Sequence, residues 1–193
     1  MAGYVGTKAV LLSTTAATVG GDADIGGALD VGGAITGVNA TLSGGVYLGG
    51  TGSANYLDDY EIGDYVATPG LQSGSVTLYS GQDRFSYTKI GRMVRVGGRI
   101  RVSAVSSPSG FINIPLPFVA GDLTDESEYS LISIATFGVG LPTGTLTVFG
   151  ETAPSSSSAI LIGVIDNAAW SVVDASNISV DDYITISGSY LTA

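Results

Sequence analysis

The sequence predicts an all-β protein: a short, glycine-rich β stalk that interweaves as a trimer, followed by an antiparallel β-sandwich knob of jelly-roll type. Three observations carry that prediction. The pair Gly-Gly returns every six residues through "VGGDADIGGALDVGGAIT", residues 19–36, each time behind Val19, Ile25 or Val31. From residue 64 onward, apolar and polar residues alternate in short runs separated by turn residues, the pattern of half-buried strands. No segment combines a helical period with capping residues.

Composition removes several functions. The chain has 193 residues, enough for one ordinary domain and a small appendage. With 7 basic against 17 acidic residues its net charge is −10, so phosphates and anionic lipids repel it; neither nucleic acid nor membrane insertion is expected. Cysteine is absent, which removes disulfides, thiolate metal sites and thiol nucleophiles. Histidine is absent too, and with it the commonest general base and transition-metal ligand. No catalytic group, cofactor or metal is expected. The first residues, "MAGYVGTKAVLLSTTAATV", hold an apolar run of only Ala9 to Leu12, shorter than a secretory core, so this start is expected in the mature protein.

The glycine repeat, with its leading Val or Ile, resembles the hexapeptide of left-handed β-helices, where three hexads make one coil. Three clean hexads are present; the following "GVNATLSGGVYLGGTG" keeps the glycines and loses the leading aliphatic residue. A single coil cannot bury its own apolar residues. Ordering its backbone costs roughly 1–2 kcal/mol per residue, and glycine loses most freedom. Three chains wound together bring Val19, Ala23, Ile25, Leu29, Val31 and Ile35 to a shared axis. There each fully buried Val, Leu or Ile contributes about 1.5–3 kcal/mol, enough to offset the ordering. The competing readings are a flexible linker, which needs neither a period nor aliphatic residues, and a single-chain β-helix acyltransferase, which needs many more coils.

In the knob, "MVRVGGRIRV" places Val94, Val96, Ile100 and Val102 on one face and Arg95, Arg99 and Arg101 on the other. "DYITISGSYL" sets Ile184, Ile186 and Tyr190 against Tyr183, Thr185 and Ser187. "SVTLYSG", "FINIPL", "YSLISIATFGV", "TLTVFGE" and "AILIGVI" are further strands, and Pro69-Gly70, Ser107 to Gly110, Pro142 to Gly144 and Ser155 to Ser158 are the turns between them. Such spacing predicts a sandwich or a barrel; the sandwich is the expected form.

Two stretches carry a family resemblance: "LGGTGSANYLDDYEIGDYVATPG", residues 48–70, and "YTKIGRMVRVGGRIRV", residues 87–102. Together with the start "YVGTKAVLLSTTAATVGGDADIGG", they make roughly the first hundred residues similar to tail-fibre and related virion fibre proteins of tailed bacteriophages. The last ninety match only in style. The resemblance implies a homotrimeric structural protein of a virion, assembled in the host cytoplasm. Residues 1–18 would dock on other virion proteins, residues 19–63 would form the stalk and junction, and residues 64–193 would form an outward knob that contacts a glycan or protein of the host surface.

Six of the seven basic residues lie between Arg84 and Arg101, downstream of the acidic cluster Asp58, Asp59, Glu61 and Asp64. The favoured reading pairs this cluster with Arg92, Arg95, Arg99 and Arg101, within or between subunits, at the junction of stalk and knob, fixing register there. The other reading makes the arginine face a patch for an acidic cell-surface glycan. A glycosidase pair is disfavoured because adjacent carboxylates on a strand point to opposite faces, and a calcium site lacks EF-hand spacing. Tyr129, Phe137, Trp170 and Tyr190 are candidate receptor contacts; each has a core or interface role as its alternative.

Four functions compete: a short tail fibre with a host-binding knob, a head-fibre or capsid decoration protein at a local three-fold, a polysaccharide-cleaving enzyme, and a bacterial trimeric adhesin. The resemblance favours the first, the compact size the second. The enzyme is not expected, and the adhesin requires a secretion signal and an anchor.

Overall fold

The computed structural model describes residues 22, 26, 28–37, 39–57, 59–122 and 129–192. The expectations for residues 1–18 and for Val19, Ala23, Ile25 and Asp58 lie outside them. Contacts divide the chain into two units, Met1–Thr41 and Leu42–Ala193. In the first, the described residues form neither helix nor strand. Leu29, Val31 and Ile35 are 66%, 40% and 79% exposed, so these apolar members of the glycine repeat are uncovered within their own chain.

The second unit opens with a small hairpin, β1 (Val46–Tyr47) against β2 (Tyr56–Leu57). Its loop is the "LGGTGSAN" segment. The Leu48 N–H donates to the Asn55 carbonyl at 2.8 Å across a 3-10 turn, Ser53–Asn55. The rings of Tyr47 and Tyr56 meet at 4.8 Å, and the Tyr56 hydroxyl accepts from the Gly45 N–H at 2.8 Å.

Nine strands follow: β3 (Tyr60–Val66), β4 (Gly70–Leu78), β5 (Arg84–Ile90), β6 (Met93–Pro115), β7 (Ser130–Phe137), β8 (Thr145–Thr152), β9 (Ser158–Ile165), β10 (Ser171–Val172) and β11 (Tyr183–Leu191). All belong to one antiparallel sheet. Its order runs β10-β9-β8-β7-β11-β6-β5-β3, β4 lies along the second half of β6, and β6 pairs with β9 as well. The last pairing closes β6, β11, β7, β8 and β9 into a ring, so the expected sandwich is instead a closed barrel with β3, β5 and β4 attached. Alternation gives the inward face of each strand but not whether the ends of a sheet meet.

Closure depends on the length of β6. The run Ser107 to Gly110, expected as a turn, lies inside this 23-residue strand. Ser107 and Gly110 take φ of 46° and 79°, and the register with β4 slips between Leu71 and Ser73, between Ser73 and Ser75, and between Thr77 and Leu78. These are bulges: extra residues on one strand that bend it and increase its twist. Turn-forming residues here redirect a strand without ending it, and the far end of β6, Asn113 to Pro115, reaches Ser158 to Ile160 of β9. Proline at 108 is tolerated because bulges are where strands accept it.

The core follows the alternation. Val94, Val96, Ile100 and Val102 of β6 are fully buried, and Ile112, Ile132, Leu161, Ile184, Ile186 and Tyr190 are buried with them. Phe85 of β5 joins this core over Gly98, whose φ of +150° and missing Cβ admit the ring; a Cβ there would stand 2.8 Å from the Phe85 side chain.

Ile100→Ala is expected to destabilise the barrel by about 2–5 kcal/mol, the cost of a buried large-to-small change. Leu146→Ala, at a site 69% exposed on β8, is expected to stay within about 0.5 kcal/mol. Chemical denaturation of both variants checks the pair.

Candidate functional site

Strand register assembles a site on the outer face of the sheet. Arg101, Tyr183 and Phe137 lie side by side on β6, β11 and β7, and Arg99, Thr185 and Ala135 form the next row on the same face. Side chains two residues apart share a face, so the alternation that buries Val94 to Val102 also turns these residues outward. They line a hollow of about 410 Å³ bounded by Arg99, Ala135, Thr136, Phe137, Tyr183 and Thr185. A second hollow of about 370 Å³, bounded by Gly81, Gln82, Ile100 and Arg101, shares Arg99 and Tyr183 with it.

The two arginines are held differently. Arg101 donates to Asp181 at 2.9 Å, and its guanidinium lies 4.7 Å from the Tyr79 ring centre and 5.3 Å from that of Tyr183. Arg99 donates through Nε to Thr185 Oγ1 at 2.9 Å and lies 5.7 Å from the Tyr183 ring centre. The rings of Phe137 and Tyr183 meet edge to face at 6.2 Å, yet Phe137 remains 74% exposed.

Beneath the groove, Asp182 is buried and its Oδ2 accepts from the Ser179 N–H at 2.7 Å. Burial pushes its carboxyl above the usual carboxylate range; the Ser179 bond pulls the other way, and Asp181 adds to the rise. A Cβ at position 138 would overlap Asp182 Oδ1, so Gly138, at φ +92°, lets β7 end against this carboxyl.

The acidic cluster pairs elsewhere. Within the chain Asp59 pairs with Lys89, Asp64 with Arg84, and Glu61 accepts from the Tyr87 hydroxyl, in place of the within-chain form of the expected pairing with Arg92, Arg95, Arg99 and Arg101. Register is the reason: β3 pairs with β5, which stands between β3 and the arginines of β6. All three contacts are diagonal cross-strand pairs. Tyr87 lies over Gly63, where a Cβ would stand 2.8 Å from its hydroxyl oxygen. The Glu61 hydrogen bond, then desolvation, raises the Tyr87 hydroxyl above its ordinary range. Arg92 donates to the Thr192 carbonyl at 3.0 Å, and neither Arg92, Arg95 nor Arg99 has a carboxylate partner among the described residues.

Of the aromatic candidates, only Phe137 lines the groove. Tyr129 and Trp170 are 48% and 60% exposed away from it, and Tyr190 is buried at 2% exposure. Tyr190 is therefore a core residue and not a surface contact: its hydroxyl donates to the Phe118 carbonyl at 2.8 Å and accepts from the Phe118 N–H at 3.1 Å. Burial pushes that hydroxyl up to about 12. Tyr183, Tyr79 and Asp181 were not among the candidates. The signal for Tyr183 was its place opposite Ile184 and Ile186; Tyr79 and Asp181 reach the site through tertiary folding alone.

No family model matches this sequence, and no curated protein does. The fold is similar to that of the Dettilon tailspike protein, with a TM-score of 0.56 and 21% sequence identity over 68% of this chain and 23% of that one. This chain thus spans less than a quarter of the tailspike's length, and the likeness is one of fold.

Two stability outcomes follow from these buried groups. Tyr190→Phe leaves the Phe118 N–H and carbonyl without their partner and is expected to cost about 1–3 kcal/mol, read by denaturant unfolding. Because folding favours protonated Asp182, its contribution is fully present below the ordinary carboxyl range and is lost as pH rises through the raised value. Asp182→Asn, which keeps an acceptor for Ser179, is expected to remove that decline: its thermal midpoint relative to the parent rises from pH 3 to pH 7.

Proposed function

We propose that the chain is a non-enzymatic structural protein of a phage virion: a homotrimeric short tail fibre whose glycine-rich stalk interweaves and whose barrel projects toward the host surface. Residues 1–18 dock on other virion proteins. The observation that carries this reading is the exposure of Leu29, Val31 and Ile35, apolar members of a strict repeat that their own chain leaves uncovered. Aliphatic side chains at fixed spacing are stabilising only when something covers them, and two further copies supply an identical wall at no extra genetic cost. The fold likeness to part of a tailspike supports the same reading.

The barrel adds a second uncovered surface. Tyr60, Ile90 and Met93 align across β3, β5 and β6, with Ile62 one row away, and all four are between 48% and 64% exposed. Aligned apolar residues of this kind mark a contact surface. The second reading, a head-fibre or capsid decoration protein at a local three-fold, draws on the chain's 193-residue length; it shares the trimer and differs in location.

Native mass spectrometry is expected to give three times the chain mass, and Leu29→Asp with Ile35→Asp is expected to shift the population to monomer while the barrel still unfolds cooperatively. A monomeric parent would overturn the trimer. Density of the labelled protein on the tail in particle images is expected; density on the capsid selects the decoration reading.

A further inference from the structure

We propose that the groove across β6, β11 and β7 binds an acidic saccharide, with Arg99 holding a sugar carboxylate and the Phe137–Tyr183 pair receiving the apolar face of the ring. The inference rests on the fibre reading only for the source of the ligand, a host-surface glycan. The binding chemistry comes from the site itself.

The first argument is charge left unspent. In a chain of net charge −10 with 7 basic residues, cations are scarce, and Asp64 and Asp59 of the upstream acidic cluster are taken by Arg84 and Lys89. Arg101 is neutralised by Asp181. Arg99 is different: Thr185 and the Tyr183 face fix its plane through Nε, while its terminal nitrogens have no partner among the described residues. A guanidinium oriented in this way presents the fork that receives a carboxylate through two parallel hydrogen bonds.

The second argument is the exposed phenylalanine. Phe137 stands 74% exposed at the end of β7, braced by Tyr183, which Arg101 in turn stacks upon. A flat apolar ring set in this way beside a polar anchor suits a ligand with one apolar face and one charged edge. A pyranose bearing a carboxylate has both. The adjoining hollows of about 410 and 370 Å³ each fall within the roughly 300–1,000 Å³ range of small-ligand clefts, so the groove takes more than one ring.

Two other occupants fit less well. A nucleic-acid strand needs a track of cations along several phosphates; among the described residues that line the groove, Arg99 is the one cation without a carboxylate partner, and Asp181 borders the site. An acidic side chain from another copy would satisfy Arg99 but leaves Phe137 unexplained.

The test is isothermal titration of the full-length protein with a linear galacturonic acid trisaccharide and with its neutral galactose counterpart, at low salt. The acidic sugar is expected to bind, and the neutral one at least tenfold more weakly. Arg99→Gln is expected to weaken binding at least tenfold and Phe137→Ala at least fivefold, with Arg99→Lys intermediate and Trp170→Ala unchanged. Thermal midpoints matching the parent confirm that the surface variants fold. Equal binding of both sugars, undiminished binding by Arg99→Gln, or no binding by an intact trimer overturns the proposal. So does tighter binding of a ten-residue oligothymidylate, or shielding of Arg99 from phenylglyoxal in the sugar-free protein. A monomeric mass with binding intact would remove the fibre reading and leave the groove proposal standing.

Discussion

The bending of one long strand organises this molecule. β6 runs from Met93 to Pro115, and its first half sits between β5 and β11 while its second half takes β4 on one edge and β9 at its end. A straight strand cannot serve both ends of a small ring. The bulges opposite Ser73 and Ser75 supply the curvature, and with it the barrel closes, the ring strands lose their free edges, and Val94, Val96, Ile100 and Val102 acquire a common interior. Without the bulges the same sequence pattern would give an open sheet with one wet face.

The same strand order sorts the charges. Because β5 intervenes between β3 and β6, the carboxylates of residues 59 to 64 satisfy β5, and the outer face of β6 keeps its arginines. Exposed pairs such as Asp64–Arg84 contribute little stability; their consequence is positional. They engage Asp59 and Asp64 with β5 and leave the arginines of β6 on the outer face of an acidic protein. Phe137 and Tyr183 arrive beside that face for a reason unrelated to charge: they occupy the outward register of strands whose inward register is isoleucine, Ile134 and Ile184. Packing inside thus fixes the chemistry outside.

How far the sequence reveals this depends on the range of each interaction. The inward faces of β6 and β11 are legible because alternation is local, and each residue of "VRVGGRIRV" reports its own burial. β3 is not legible in the same way: Glu61 and Asp64 interrupt its apolar pattern as Lys89 interrupts that of β5, and only their mutual pairing explains those residues. Ser107 to Gly110 misleads for the opposite reason, since residues that favour φ > 0 serve a bulge as well as a turn. Of the groove, Arg99 and Phe137 were named separately; that they share a face is set by β11, which lies between β6 and β7 while being last in sequence.

The two units also differ in what holds them. The barrel carries its stability inside one chain, with buried side chains from seven of its nine described strands, among them Val94, Ile132, Leu161 and Ile184, and the Tyr190 hydroxyl in its interior is satisfied locally by Phe118. The first unit has no such interior among its described residues: Leu29, Val31 and Ile35 are uncovered and the glycines around them bring maximal entropy loss. Exposed aliphatic side chains of this kind stabilise an ordered segment only when something covers them. Under the fibre reading proposed above, this division separates a barrel whose core is closed within one chain from a repeat whose aliphatic side chains are left for other copies to cover.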